Sequence, residues 1–152
     1  MDYEILSCGE REIPSAAVRL LYQQEGWWQE RSEDDLAAVI ASGPAVGAWK
    51  GDQLVGFARA VSDGRFRAYV EDVVVDTAHR GSGCGAALMA ALHAELSGID
   101  VVSLFCHEDL VGFYEQAGYR FTHQRIAHRV AAPPTNQLEP QARRSARCDT
   151  SS

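Results

Sequence analysis

The sequence has a single lysine, Lys50, and its formal net charge is −7. A net acidic chain disfavours nucleic-acid backbones and favours cationic partners. No apolar run approaches the roughly 18 residues that a membrane span needs. The four cysteines (Cys8, Cys84, Cys106 and Cys148) form no CxxC pair, and the histidines at 79, 93, 107, 123 and 128 have no metal-ligand spacing beside cysteine or carboxylate. Disulfide scaffolds, zinc modules and a bound metal are therefore not expected. The opening stretch MDYEILSCGEREIP lacks a basic-then-apolar leader. With the cysteine spacing, that predicts reduced thiols and a cytoplasmic location.

What is present is an ordinary globular composition. Apolar residues make up 46% and charged residues 23%, which argues against global disorder. The length suits one domain with a real core. Residues 3–7 read as a strand. Ser15, after Pro14, is placed to cap a helix over about 15–25. Ser32 with Asp35 resembles a capping box for a second helix, with acidic residues 33–35 at its positive end. Gly43-Pro44 ends that helix. AVGAWKG, QLVGFARAVSD and RFRAYVEDVVVD follow, joined at Gly51-Asp52 and Asp63-Gly64. Such turns between apolar runs predict an antiparallel meander over 45–76. A helix with Cys84, Leu88, Leu92 and Leu96 on one stripe runs to about 97. VVSLFC (101–106) reads as a strand buried on both faces. A short helix is expected from Asp109 to Glu115, and a last strand or two over 119–130. From Ala131 the prolines, serines and missing apolar period predict a disordered tail, with Arg143, Arg144 and Arg147 solvated. The expected organisation is one domain over 1–130, a mixed α/β sandwich on one sheet, followed by the tail at 131–152.

HRGSGCGAAL (79–88) concentrates glycines at the start of a helix. The first turn of a helix has N–H groups without intrahelical partners, and its dipole favours an anion there. Glycines clear the side chains that would block a ligand, and Arg80 adds a cation. A P-loop needs GxxxxGK[ST], which is absent. Gly81-x-Gly83-x-x-Ala86 matches a dinucleotide-binding fingerprint, with Glu108 and Asp109 after the next strand. Against it stand the antiparallel strands upstream and the four residues Thr77–Arg80 before the first glycine.

Arg80-x-x-Gly83-x-Gly85 also matches the (Q/R)xxGx(G/A) signature of the GCN5-related N-acetyltransferase (GNAT) family. VEDVVVDTAHRGSGCGAALMAAL resembles that family's strand-loop-helix motif for acetyl-CoA. SLFCHEDLVGFYEQAGYRF resembles its later strand and helix, with Tyr114-Glu115-Gln116-Ala117-Gly118-Tyr119 as the phrase of type YEKLGF. LVGFARAVSD resembles a further strand of the family. The resemblance spans roughly residues 3–125 in order. ARAVSD, DVVVD and FYEQAGY are similar to the branch with the plastid serotonin N-acetyltransferases and other arylalkylamine-type enzymes.

The resemblance implies a GNAT-like mixed sheet, a meander followed by a parallel β-α-β unit, flanked by helices. It implies acetyl transfer from acetyl-CoA, as co-substrate, to a small amine or a lysine side chain, by direct attack in a ternary complex. A homodimer is the assembly it suggests. Carried over by position, the backbone of Arg80, Gly81, Ser82, Gly83, Cys84, Gly85 and Ala86 holds the pyrophosphate. Val73, Val74 and Val75 flank the pantetheine arm, and one backbone N–H there polarises the thioester carbonyl. Tyr114 matches the general acid that protonates the leaving thiolate. The base is less direct, because Tyr69 stands at the family's usual glutamate. Asp72 is preferred and Glu71 comes second, and the two share a face only if a bulge intervenes. His107 stands where the family often has an asparagine on the cofactor arm, and is equally suited to capping the next helix or acting as base. Trp27 and Trp28 lie where an acceptor pocket is often built, and core packing is the competing reading. The rival functions are a non-catalytic acyl-CoA sensor, motivated by Tyr69, and a small NAD-binding domain.

Overall fold

The computed structural model describes residues 2–129 and Ala131. Of the disordered tail expected at 131–152, residues 132–152 lie outside the described residues. The element order is β1 (Glu4–Ser7), α1 (Ser15–Glu25), α2 (Glu33–Ala41), β2 (Ala45–Lys50), β3 (Gln53–Ser62), β4 (Arg67–Val75), α3 (Cys84–Glu95), β5 (Val101–Ser103) and α4 (Val111–Gln116). Short 3-10 turns precede α3, at Thr77–His79, and α4, at Glu108–Leu110.

Local chemistry sets most boundaries. Helix α1 begins after Pro14, whose fixed φ suits a helix entry. Pro14, not Ser15, holds the cap position, and no side chain caps this helix. It stops at Gly26, which takes the left-handed conformation (φ 67°). The Ser32 hydroxyl accepts the Asp35 N–H at 3.1 Å, so α2 is capped as its sequence predicts. At the β3–β4 turn, one carboxylate oxygen of Asp63 accepts the N–H groups of Arg65, Phe66 and Arg67 at 2.8, 2.8 and 3.1 Å.

The five strands lie in sequence order. β1 to β4 pair antiparallel and β5 pairs parallel with β4. Helix α3 covers one face, where Leu88, Met89 and Leu92 meet Val55, Ala58, Val70, Val73 and Val75. Helices α1 and α2 cover the other, where Val18, Leu21, Tyr22, Leu36 and Ile40 meet Phe57 and Val74. The mixed, helix-flanked sheet expected from the sequence is the sheet observed.

Two expectations near the end of the domain need correction. The strand expected at 101–106 is limited to Val101–Ser103, and it lies at the sheet edge with Val101 and Ser103 exposed. It makes three pairings with β4 and then diverges. No strand forms within residues 119–129. Phe121 and Ile126 there remain exposed, so the weak alternation of this segment buries no face.

Gly56 sets how closely α3 approaches the sheet. A Cβ at this position would lie 2.8 Å from Leu88 Cδ1 and 3.2 Å from both the Ala48 Cβ and the Cys84 Sγ. Leu88 and Cys84 are themselves buried, so neither has room to retreat. Overpacking of this kind costs about 1–3 kcal/mol. Gly56→Ala is expected to destabilise the domain by that amount, read as a lower urea midpoint with unchanged slope.

Candidate functional site

Strand β4 concentrates the site. Its pairing with β3 shifts register between Arg59 and Ala60: Arg59 opposes Asp72, while Ala60 opposes Val70. Glu71 is the extra residue of this β-bulge. A bulge breaks the two-residue alternation of side chains. Val70 and Val73 both join the α3-side core, so Glu71 and Asp72 fall together on the opposite face. The condition under which both carboxylates share one face is met.

They differ in their surroundings. Asp72 is 2% exposed. Its Oδ2 accepts the Arg59 Nε–H at 2.8 Å and the Tyr22 hydroxyl at 2.8 Å. Arg59 is also buried, so the pair sits at the sheet–α1 interface. Burial, and then the charge of Asp72, push the Tyr22 phenol far above its ordinary value, so it remains a donor. Glu71 is half-buried and hydrogen-bonded to Tyr69. Burial, and secondarily the neighbouring Asp72, raise the Glu71 carboxyl above the usual carboxylate value. Burial first, and then Glu71, raise the Tyr69 phenol.

On the other edge of β4, pairing with β5 ends at Tyr69. Among the described residues, β5 is the strand paired on that side, and its register covers Arg67 to Tyr69. The chain then turns through Asp76–Gly83 into α3. Gly81 (φ 70°) and Gly83 (φ 83°) take left-handed conformations that a larger residue strains to adopt. Gly83 is the N-cap of the 12-residue α3 and no side chain caps it. Ser82 donates to the His79 carbonyl at 2.5 Å, folding the loop on itself. Cys84 buries its thiol against Gly56, so only its backbone faces the loop.

Arg80 departs from the sequence reading. Its guanidinium pairs with Glu25, the buried last residue of α1, and its Nε donates to the Val75 carbonyl at 3.3 Å. The cation expected at the rim is spent on tying the loop to α1. Glu25 sits at a helix C-terminus, where a carboxylate opposes the dipole, and Arg80 offsets that charge. Gln24 adds a second tie, donating to Asp76 at 3.0 Å and accepting the Thr77 N–H at 2.9 Å.

Tyr114, on α4, is buried in the same α3-side cluster as Val73 and Val75, and packs edge-on against Phe113 and Tyr119. Val74 faces away, into the α1/α2 core. His107 is exposed, makes no side-chain cap, and lies 3.4 Å from an Asp109 oxygen. Trp27 is core, packed against Tyr22. Trp28 is 9% exposed, with the Arg31 guanidinium 3.5 Å from a ring centroid. Among the described residues no group of three or more His, Cys, Asp and Glu could hold a metal ion, and no helix is long and apolar enough to cross a membrane.

The sequence reading missed Arg59, Tyr22 and Arg31, and read Glu25 as a surface acid rather than as the partner of Arg80. Arg59 carried a signal: a charged residue inside the apolar run LVGFARAV of a central strand needs a buried partner. The others become neighbours of the site only through tertiary contact.

The family model for the acetyltransferase (GNAT) domain matches residues 14–129. The chain belongs to that family. Among curated relatives, it is 43% identical over 67 residues to serotonin N-acetyltransferase 2, chloroplastic, of rice, and 41% identical over 69 residues to GCN5-related N-acetyltransferase 2, chloroplastic, of Arabidopsis thaliana. Those matches cover 43% and 44% of this chain, and 34% and 27% of the relatives. The match thus spans about a third or less of those two proteins. Among solved structures, a GNAT-family acetyltransferase of Streptococcus pneumoniae superposes with TM-score 0.70 at 25% identity, over 85% of this chain and 100% of that one. A Trypanosoma brucei acetyltransferase superposes with TM-score 0.67 at 26% identity, over 85% and 100%.

This GNAT domain bears out the family resemblance, and the similarity to the serotonin-type branch holds over a limited stretch. The cytoplasmic expectation is overturned: relatives from rice and Arabidopsis are chloroplastic proteins. Cysteine spacing and the first residues of the sequence were an insufficient basis for naming a compartment.

The buried Arg59–Asp72 pair gives the site its first test. Removing one partner of such a pair typically costs about 3–5 kcal/mol, because the other charge is left buried alone. Arg59→Leu should destabilise by that order in chemical denaturation, and the double variant Arg59→Leu/Asp72→Leu should recover much of the loss.

Proposed function

We propose that this chain transfers an acetyl group from acetyl-CoA to a small primary amine, by direct attack in a ternary complex. One observation carries the reading: the stretch of β4 beyond its pairing with β5, the start of α3 that no side chain caps, and the bulged carboxylate Glu71 all lie within residues 70–86. An extended pantetheine arm can pair with an open strand edge, and a pyrophosphate suits an uncapped helix N-terminus. The residues present fit both parts of the coenzyme. Backbone at Val73–Val75 would take the arm, and the turn from Gly81 through Ala86 would take the phosphates. Acetyl-CoA supplies the activated thioester.

The chain's own groups then divide the work. Glu71 is the base. Its raised carboxyl brings its proton affinity closer to that of a base working near neutral pH. Asp72, preferred on sequence grounds, is instead an anchor, engaged by Arg59 and Tyr22. The amine nitrogen, once it yields a proton to Glu71, attacks the thioester carbonyl carbon. The C–S bond breaks, and Tyr114 donates its hydroxyl proton to the departing sulfur. A backbone N–H at Val73–Val75 bonds the carbonyl oxygen as negative charge develops. Exposed acidic residues Glu30, Glu33, Asp34 and Asp35 draw cationic amines toward this side.

Calorimetry should show acetyl-CoA binding that is lost in Gly83→Val, whose β-branched side chain opposes both the left-handed backbone and the phosphate. No acetyl-CoA binding by the folded wild type would sink the proposal. Glu71→Gln and Tyr114→Phe should keep coenzyme binding and lose about 10²–10⁴-fold in kcat, the usual worth of a positioned base or acid. Binding without turnover on a broad amine panel would instead identify an acyl-CoA sensor.

The pH dependence has a definite sign. Glu71 has a folded pKa above its unfolded value, so the folded state holds a proton that the unfolded chain releases. Its contribution to stability is present below the unfolded carboxylate value and is lost as pH rises through the folded one. Thermal melts of Glu71→Gln against wild type should show that loss only in wild type. The acid limb of kcat/KM should fall above the ordinary carboxylate value and vanish in the variant.

A further inference from the structure

Tyr119 and His128 anchor the segment that follows α4. The Tyr119 hydroxyl lies 2.7 Å from His93 Nε2 on α3, and the His128 ring packs edge-on against Phe105 at 5.4 Å. Between these anchors every residue from 120 to 127 is exposed. A groove of about 450 Å³ is lined by residues 101–106, by residues from 119 to 126, and by Arg67. Among the described residues no backbone hydrogen bond joins the first two stretches.

The groove is basic. Arg67, Arg120 and Arg125 line it, and no aspartate or glutamate does. None of the three arginines forms an ion pair among the described residues. Asp63, which acts electrostatically with Arg67, has an oxygen committed to three N–H groups of the β3–β4 turn. The sequence from Gln116 to Leu138 holds no acidic residue, in a chain whose formal net charge is −7. Apolar groups interleave with these cations. Of the six exposed large apolar side chains among the described residues, Val101, Phe121 and Ile126 line the groove. Phe66, a fourth, adjoins it through its carbonyl, which accepts the Val101 N–H at 3.0 Å. Exposed apolar side chains clustered in this way, rather than scattered, mark a binding surface.

The spread of the charges selects the ligand. A compact anion gathers guanidiniums at one point. Here Arg120 and Arg125 stand apart on an exposed segment, and Arg67 begins β4. Cations so spaced, mixed with apolar groups, match an extended chain, whose successive side chains point to opposite faces. β5 is the last strand of the sheet, so its backbone is placed to hydrogen-bond an added strand. Guanidinium forks suit carboxylates. The net negative charge of the whole chain disfavours a nucleic-acid backbone as the occupant.

We propose that this groove docks an extended acidic peptide of a partner protein, added along β5 with its carboxylates on Arg67, Arg120 and Arg125. The surface is separate from the acetyl-transfer chemistry and does not rest on it.

The test uses the full chain and the fluorescence anisotropy of a labelled, end-capped peptide of alternating aspartate and valine, DVDVDVD. Its lysine counterpart KVKVKVK, a form with a methylated backbone, and an oligothymidylate of equal length are the comparison probes. The variants are Arg120→Glu/Arg125→Glu and the charge-retaining Arg120→Lys/Arg125→Lys. Both positions are exposed, and thermal melts establish that each variant is folded. Wild type should bind the aspartate peptide and not the lysine one. The glutamate variant should bind it at least about tenfold more weakly, and the lysine variant should keep most of the affinity. Backbone methylation should weaken binding by a similar factor, since it removes the N–H donors of the added strand. Unchanged affinity in the glutamate variant, equal binding of the two peptides, or no binding by the folded wild type would each overturn the proposal. Full affinity of the methylated form would overturn the addition along β5. Tighter binding of the oligothymidylate would also overturn the proposal and assign the groove to nucleic acid.

Discussion

The structure depends on one extra residue. At Glu71 the β4 strand carries an insertion relative to β3, and nearly every feature of the candidate site follows from it. A bulge bends its strand and sharpens the local twist. Pairing with β5 ends at Tyr69, just before the bulge, so β4 runs on beyond β5. The bulge also reverses which residues face α1. Without it, Asp72 and Glu71 would point to opposite sides of the sheet. With it, two carboxylates stand side by side on one face, while Val73 and Val75 return to the core beneath α3.

Two neighbouring carboxylates on one buried face are stable only if their charge is managed. Asp72 is managed by a buried cation and a phenol, Glu71 by a raised proton affinity. Environment rather than residue type therefore sets the two acids apart. It also accounts for Arg59, a cation in the middle of an otherwise apolar strand.

Much of this was legible in the sequence. Apolar periodicity placed α1 and α3, Ser32 placed the start of α2, and the Gly51-Asp52 and Asp63-Gly64 turns placed the meander, because those signals are local. The glycine loop was legible for the same reason. That Asp72 and Glu71 share a face was not, since a bulge is fixed by how two strands pair and leaves no mark in one strand's own alternation. The Arg80–Glu25 pair was not legible, because Glu25 lies far away in the chain. The segment 119–129 carried strand-like residues, but the exposed three-residue β5 left it without a long partner edge.

The ties between α1 and the glycine loop bear on how the chain assembles. Gln24 meets Asp76 and Thr77 across separations of 52 and 53 residues, and Glu25 meets Arg80 across a similar span. Contacts of such long range form only after the intervening chain has been ordered, since its loop-closure entropy must be overcome first. The meander, with its tight turns, carries no such delay. The last turn of α1 therefore docks onto a sheet already built, and the loop acquires its clamps late. Weakening those clamps would speed unfolding far more than it slows folding, so the glycine loop is held by contacts that govern the lifetime of the native state rather than the rate at which it is reached.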